Sequence, residues 1–165
     1  TEIGALELSS AKAALELPAR ELKVTYQSDA IAEILSQTHS YPYFLQEWGK
    51  HSWASAMQSP ITRDDVKLAT KLAVTELDNG FFRVRFDRLT PTEKKYLRAM
   101  AELEGVAIRS GDIAHLLKKD VKTVAPTRAT LIAKGMIYSS AHGDNAFTVP
   151  LFQDYMKRVM PDFDE

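Results

Sequence analysis

The sequence contains no cysteine, which excludes disulfide bonds and thiolate metal ligands. It has no apolar run close to the roughly 18 residues that a membrane helix needs, so no membrane partner is expected. Residues 1–4 include neither an initiator Met nor the apolar segment of a secretory signal. Together these absences favour a cytoplasmic protein and predict that the chain is a piece of a longer one.

A strong net charge is also missing, because the whole chain carries −1 at pH 7. The charge is divided unevenly: residues 1–80 hold 7 Lys and Arg against 11 Asp and Glu, whereas residues 81–165 hold 14 against 11. A dedicated nucleic-acid binder is usually strongly basic. The distribution therefore indicates only a basic second domain beside an acidic first one.

Motifs for catalysis and metal binding are absent as well. The four histidines, His39, His51, His115 and His142, never recur at the three- or four-residue helical spacing that builds zinc sites. No segment matches the phosphate-binding loop G-x-x-x-x-G-K-[ST]. We predict no catalytic residue, no metal site and no cofactor in this chain itself.

The first 80 residues predict about four helices. The first covers residues 10–17 and is closed by Pro18, Ser28 caps the second, Pro42 opens the third, and Thr62 caps the fourth. Spacing of three and four residues identifies the buried sides of the last two. These are Phe44, Leu45, Trp48 and Ser52 in the third helix, and Val66, Ala69, Ala73 and Leu77 in the fourth.

The rest of the chain follows the element order of a winged helix. After an apolar run at 81–86, which fits a helix or a linker, Thr90 and Glu93 form a capping-box pattern for a first helix. A short strand at 106–108 and a helix capped by Ser110 follow. The remaining predicted elements are a turn at 118–120, a third helix at 122–134 ended by Gly135, wing strands at 136–140 and 146–149 around a tip at 142–145, and a closing helix at 151–160.

Four motifs carry a resemblance to a known family: residues 41–46 (YPYFLQ), 81–86 (FFRVRF), 89–94 (LTPTEK) and 134–138 (KGMIY). In these motifs the chain resembles the C-terminal part of bacterial and archaeal AAA-type ATPases of the STAND-like group, akin to archaeal initiator ATPases. The resemblance implies a mainly α fold in which a helical AAA-type lid precedes a winged helix-turn-helix with a small β-hairpin wing.

The same resemblance assigns residues 1–80 to the lid and residues 81–165 to the winged helix. It implies an upstream P-loop ATPase domain as a partner, with ATP and Mg as cofactors of the parent chain. Many AAA lids supply an arginine to the phosphates at the start of their third helix, but this sequence has no cation there. Tyr41 and Tyr43 are the candidate nucleotide contacts, and packing in the lid core is the alternative.

A helical wheel of the third winged-helix helix separates a core side from an outward side. The core side consists of Val121, Val124, Ala125, Leu131 and Ile132. Arg128 lies in the middle of that side, so we predict a structural ion pair for it. The candidate partners are Asp112, Asp87 and Glu93.

The outward side predicts contact with the DNA backbone more than with bases. It has no Arg, Asn or Gln for bidentate contacts to purines, and the tip at 142–145 is neutral to acidic. Its lysines and threonines are suited to phosphates. The candidate DNA-binding residues are Lys118, Lys119, Lys122, Thr123, Thr127, Thr130 and Lys134.

Two functions are therefore open. In the first, the winged helix binds duplex DNA with low sequence specificity under the control of the parent ATPase. In the second, it is a protein-interaction or autoinhibitory module without DNA binding. The fold analogy favours the first, and the outward helix face favours the second.

Overall fold

The computed structural model describes residues 4–163. The chain divides into two compact units, of which the first ends at Asn79 and the second begins at Gly80. In the described part of the chain, no helix has the length and apolar character that crossing a membrane requires.

The first unit is built from helices with short connections. They are α1 (Leu8–Glu21), α2 (Ser28–Thr38), α3 (Pro42–Ser55) and α4 (Arg63–Leu77). The loops before α2 and α4 are joined at Tyr26 and Ile61, where Gln27 N–H donates to the Ile61 carbonyl at 2.9 Å. These connections fix the starts of both helices.

Two helices of this unit begin and pack as the sequence predicts. Pro42 occupies the first turn of α3, and Thr62 forms a capping box with Asp65 at the start of α4. The predicted buried sides of both helices are confirmed without exception. Trp48 is fully buried, and its indole N–H donates to Thr70 Oγ1 at 2.9 Å.

The predicted end of α1 at Pro18 is wrong, because the helix continues to Glu21. Proline removes one backbone donor, but the turn that follows is closed by other amides. Leu22 N–H and Val24 N–H both donate to the Ala19 carbonyl, at 3.1 and 2.9 Å. Ser28 is likewise the first residue of α2 rather than its cap, which is Gln27.

The second unit contains the predicted winged helix. Its elements are α5 (Arg83–Asp87), preceded by a π-helical turn at Asp78–Phe82, then α6 (Pro91–Leu103), β1 (Ile108–Arg109), α7 (Ser110–Leu116), α8 (Val121–Ala133), β2 (Ile137–Tyr138), β3 (Asp144–Phe147) and α9 (Phe152–Val159). The capping box of Thr90 and Glu93 is present at the start of α6. Gly135 ends the α8 segment with a φ of 68°, as its position predicts.

The three strands form one small antiparallel sheet in the order β1-β3-β2. Ile108 pairs with Asn145, and Ile137 pairs with Phe147. The predicted wing tip at 142–145 is therefore too late, because Asp144 and Asn145 already belong to β3. The fold class is confirmed: a mainly helical chain in which a helical unit precedes a winged helix-turn-helix.

Aromatic side chains fill the core of the second unit. Phe82 and Phe86 pack against Tyr155 of α9, with ring centroids 5.2 and 5.8 Å apart. Phe152 contacts both Phe82 and Phe147. Residues 81–86 are thus helical, with Phe82 and Phe86, four residues apart, facing α9.

Candidate nucleic-acid interface

The helix-turn-helix consists of α7, the turn at 117–120 and α8, with the wing between β2 and β3 following it. Lys118 has a φ of 53°, which gives the turn its sharp change of direction. Asp120 precedes α8 and makes no side-chain cap, but its carbonyl accepts from the Thr123 and Val124 amides at 2.9 and 3.3 Å. This end of α8 therefore presents mainly exposed side chains.

Three of the predicted phosphate-binding lysines lie together at this end. Lys118 and Lys119 are exposed in the turn, and Lys122 is exposed in the first turn of α8. Cations at the start of a recognition helix suit the phosphates that flank a major groove. This arrangement of lysines fits contact with the DNA backbone, whereas base recognition would need other residues.

The three threonines predicted to bind DNA differ from one another in their surroundings. Thr123 and Thr127 line a cavity of about 140 Å³ among α6, α7 and α8, together with Lys119 and Lys95. Thr130 is exposed, and its hydroxyl donates to the Pro126 carbonyl at 3.0 Å. Only Thr123 is both exposed and close to the start of α8.

Lys134 does not fit the role of a phosphate anchor. Its ammonium donates to Glu93 Oε2 at 2.7 Å and to the Arg88 carbonyl at 3.1 Å. It lies just after the last residue of α8, whereas the other lysines lie near the first. Its charge is paired within the fold, so we exclude Lys134 from the interface.

The pairing with Lys134 also sets the acidity of Glu93. Burial alone would raise the pKa of this carboxyl, but the Lys134 ammonium and the Thr90 amide outweigh that effect and hold the pKa below its ordinary value. Because its pKa is lowered, Glu93 is ionised at neutral pH although it is only 3% exposed. Glu93 and Lys134 thus form a structural ion pair in this unit.

The ion pair predicted for Arg128 is wrong. Within residues 4–163, no Asp or Glu carboxylate pairs with its guanidinium, and Asp87 instead pairs with Arg83 at 2.9 Å. Arg128 Nε donates to Asn145 Oδ1 at 2.6 Å. Its Nη2 donates to Ser139 Oγ at 3.0 Å and to the Asp144 carbonyl at 3.2 Å. All three acceptors are neutral and lie in or beside the wing.

Asn145, which no sequence pattern marks as a site residue, joins the wing to the rest of the second unit. Its side chain is fully buried, and Nδ2 donates to the Ile108 carbonyl and to Ser110 Oγ at 3.0 and 2.9 Å. Ser110 Oγ in turn donates to the Gly143 carbonyl at 3.0 Å. The sequence pattern places Asn145 in the wing tip, and only its pairing with β1 reveals that it is buried.

The predicted core side of α8 is also only partly correct. Val124 and Leu131 are buried, and Ile132 is half-buried. Val121 is 49% exposed and Ala125 is exposed, because the start of this side faces an opening beside the wing instead of the core. The wheel gave the correct side of the helix but not where along its length the core ends.

In the first unit, Tyr41 and Tyr43 both contact Phe44. Their ring centroids lie 5.0 and 6.1 Å from that of Phe44, which is fully buried. Tyr43 remains 42% exposed, so one aromatic surface is open at the start of α3. No cation accompanies it between residues 40 and 43. The nucleotide contact stays a prediction, and the position offers stacking but no phosphate ligand.

Three side chains of the first unit lie close enough together to hold a metal ion. The spacing of the histidines does not indicate them, because only one of the three is a histidine. Glu47, His51 and Glu76 place one ligand atom each within 4.8 Å of the others. Lys50 Nζ lies 2.8 Å from Glu76 Oε1 and 3.3 Å from Glu47 Oε2. The Lys50 hydrogen bond lowers the pKa of Glu76, so an ammonium already supplies the positive charge that these carboxylates require.

Two comparisons with known proteins bear on this site. Residues 79–156 match a family described as "Domain of unknown function (DUF8462)". An uncharacterized HTH-type transcriptional regulator of Methanocaldococcus jannaschii is 27% identical over 122 residues, which are 74% of this chain and 29% of that relative. The chain thus spans less than a third of the relative's length.

The aligned length is greater than that of either unit, so the similarity to the archaeal regulator extends across the boundary between them. It suggests a helix-turn-helix domain, in agreement with α7 and α8. Neither match names an ATPase.

Proposed function

We propose that the second unit binds duplex DNA through backbone phosphates and with little preference for sequence. The observation that carries this proposal is the group of exposed lysines, Lys118, Lys119 and Lys122, around the start of α8 in a helix-turn-helix that has a wing. The similarity to an HTH-type transcriptional regulator supports it. Apart from Arg128, α8 has no Arg, Asn or Gln, so base-specific contacts are few.

The salt dependence of DNA binding tests the proposal. Replacing Lys118, Lys119 and Lys122 together by Ala should reduce the slope of log K against log salt by roughly 2 to 3, because each phosphate contact contributes about 0.9. Fluorescence anisotropy with two duplexes of unrelated sequence measures both the slope and the specificity. We expect similar affinities for the two duplexes.

A matched control removes three exposed lysines from the first unit, Lys12, Lys67 and Lys71. The net charge changes equally, but the slope should stay that of the wild-type chain. No binding at low salt, or equal slopes for both triple variants, contradicts DNA binding by this surface.

One observation favours a protein partner as the second candidate. The exposed side of α8 beyond its first turn carries small apolar residues, Ala125, Pro126, Ala129 and Ala133. Such a face suits contact with another protein surface better than contact with bases. Binding of a protein partner that survives high salt, without DNA binding at low salt, would favour this function.

For the first unit we propose the role of a lid in an ATP-binding AAA-type parent protein. The motif at 41–46 at the start of α3 and the four-helix arrangement support it. ATP and Mg would then be bound by an upstream P-loop domain, to which Tyr41 and Tyr43 add at most an aromatic contact. The sequence encoded upstream of residue 1 tests this: a phosphate-binding loop supports the proposal, and its absence contradicts it.

A further inference from the structure

An opening of about 240 Å³ lies between the start of α8 and the wing. Val121 and Ala125 line it from the helix, and Ser139 and His142 line it from the turn between β2 and β3. Arg128 also lines it, one helical turn beyond Ala125. A nucleic-acid strand that passed between the helix and the wing would cross this opening.

Arg128 brings an uncompensated positive charge to the opening. The guanidinium is half-buried, its acceptors are neutral, and Nη1 has no acceptor within residues 4–163. A charge that is partly removed from water gains more from a nearby anion than an exposed charge does. Guanidinium also presents its N–H groups in a fork that matches phosphate oxygens.

The hydrogen bonds to the wing hold this guanidinium in place. Asn145, which fixes Nε, is itself held by Ile108 and Ser110, so the fork is oriented before any ligand arrives. Ser139 Oγ, which accepts from Nη2 and donates to the Ala141 carbonyl, lies at the rim of the same opening. A preorganised fork loses less conformational entropy on binding than a free surface arginine.

We propose that Arg128 binds one phosphate group of the DNA backbone in the opening between α8 and the wing. The proposal rests on the DNA-binding function proposed above and adds a phosphate contact that is separate from the lysines at the start of α8. Two sources of phosphate share this chemistry, a DNA backbone and free inorganic phosphate. The DNA backbone is favoured because the opening lies beside the recognition helix.

Salt titrations with four variants of the full chain test the assignment. Arg128→Gln should reduce the slope of log K against log salt by about 0.9, whereas Arg128→Lys, which keeps the charge, should retain it. Ser139→Ala removes one hydrogen bond of Arg128 without changing charge and should leave the slope unchanged. Arg88→Gln, which removes another exposed arginine of the same unit, is the matched control and should also leave it unchanged.

A measurement on the wild-type chain covers the case in which Arg128→Gln fails to fold. The side-chain Nε–H resonance of Arg128 should shift on titration with duplex DNA, and it should shift much less with inorganic phosphate at equal phosphate concentration. DNA binding with an unshifted resonance and an unchanged Arg128→Gln slope overturns the Arg128 site and leaves the proposed function standing.

The remaining outcomes separate the two proposals. If the wild-type chain, with its lysines intact, binds no DNA at low salt, both the proposed function and the Arg128 site are refuted. A response of Arg128 to inorganic phosphate that equals or exceeds the response to DNA shows a free-anion site and overturns the DNA backbone as its occupant.

Discussion

Glu93 is a buried carboxylate of the second unit, with 3% of its surface exposed. Its carboxylate accepts from the Thr90 amide and from the Lys134 ammonium, both at 2.7 Å, at the point where α6 begins. Because Lys134 also donates to the Arg88 carbonyl, one ammonium joins the end of α5, the start of α6 and the end of α8. At the scale of single residues, Lys134 is therefore a structural residue.

Replacing Lys134 by Ala should destabilise the chain at pH 7 by about 2 kcal/mol, because a buried carboxylate is left without its partner. Thermal or urea unfolding measures the loss. Lys122→Ala removes an exposed lysine of the same helix and should change stability by less than about 0.5 kcal/mol. Equal effects of the two substitutions would contradict the structural role of Lys134.

The ion pair of Glu93 and Lys134 also predicts how the stability of the folded chain depends on pH. The pKa of Glu93 is lowered in the folded chain, so its contribution is complete above the pKa of an unfolded glutamate, about 4.3, and is lost as pH falls through the folded pKa. The stability difference between the wild type and Lys134→Ala should therefore shrink below about pH 4. A difference that is independent of pH would exclude the ion pair as its cause.

At the scale of elements, the wing depends on one buried polar side chain. Strands β1 and β2 have only two residues each, too few for backbone pairing to hold a hairpin alone. Asn145 of β3 adds hydrogen bonds to Ile108, Ser110 and Arg128. Polar side chains that are buried and fully bonded can fix a single arrangement of their surroundings.

Asn145→Ala should destabilise the second unit by about 2 kcal/mol, since the Ile108 carbonyl and the Arg128 guanidinium lose a partner. Hydrogen exchange should accelerate most at the paired amides of β2 and β3. Ser140→Ala, an exposed change in the wing turn, is the control and should affect neither stability nor exchange. A wing that keeps its exchange protection in Asn145→Ala would contradict the role of this residue.

The helices were more predictable than the wing. A proline or a capping box marks the starts of α3, α4 and α6 within a few neighbouring residues, and helical spacing shows their buried sides. The ends of β2 and β3 depend on pairing between distant segments, which no local pattern records. For this reason the predicted tip included Asn145, a residue that the sheet buries.

At the scale of the whole molecule, the division between residues 79 and 80 allows an optical test of whether the two units unfold independently. Both tryptophans, Trp48 and Trp53, belong to the first unit, so tryptophan fluorescence reports that unit alone. In urea, Asn145→Ala should lower the unfolding midpoint measured by circular dichroism and leave the tryptophan midpoint unchanged. Equal shifts of both midpoints would show that the two units unfold as one.

The sequence by itself determined the helical elements, their order and the winged-helix class, because caps, turns and hydrophobic spacing act within a few residues of the chain. Only the tertiary structure decided the partners of the charged side chains. The helical wheel places Arg128 on the core side and Lys134 on the outward side, yet folding pairs Lys134 with the buried Glu93 and leaves Arg128 among neutral oxygens of the wing. The energy of a charge depends on what lies within a few ångströms of it, and those neighbours come from distant parts of the chain.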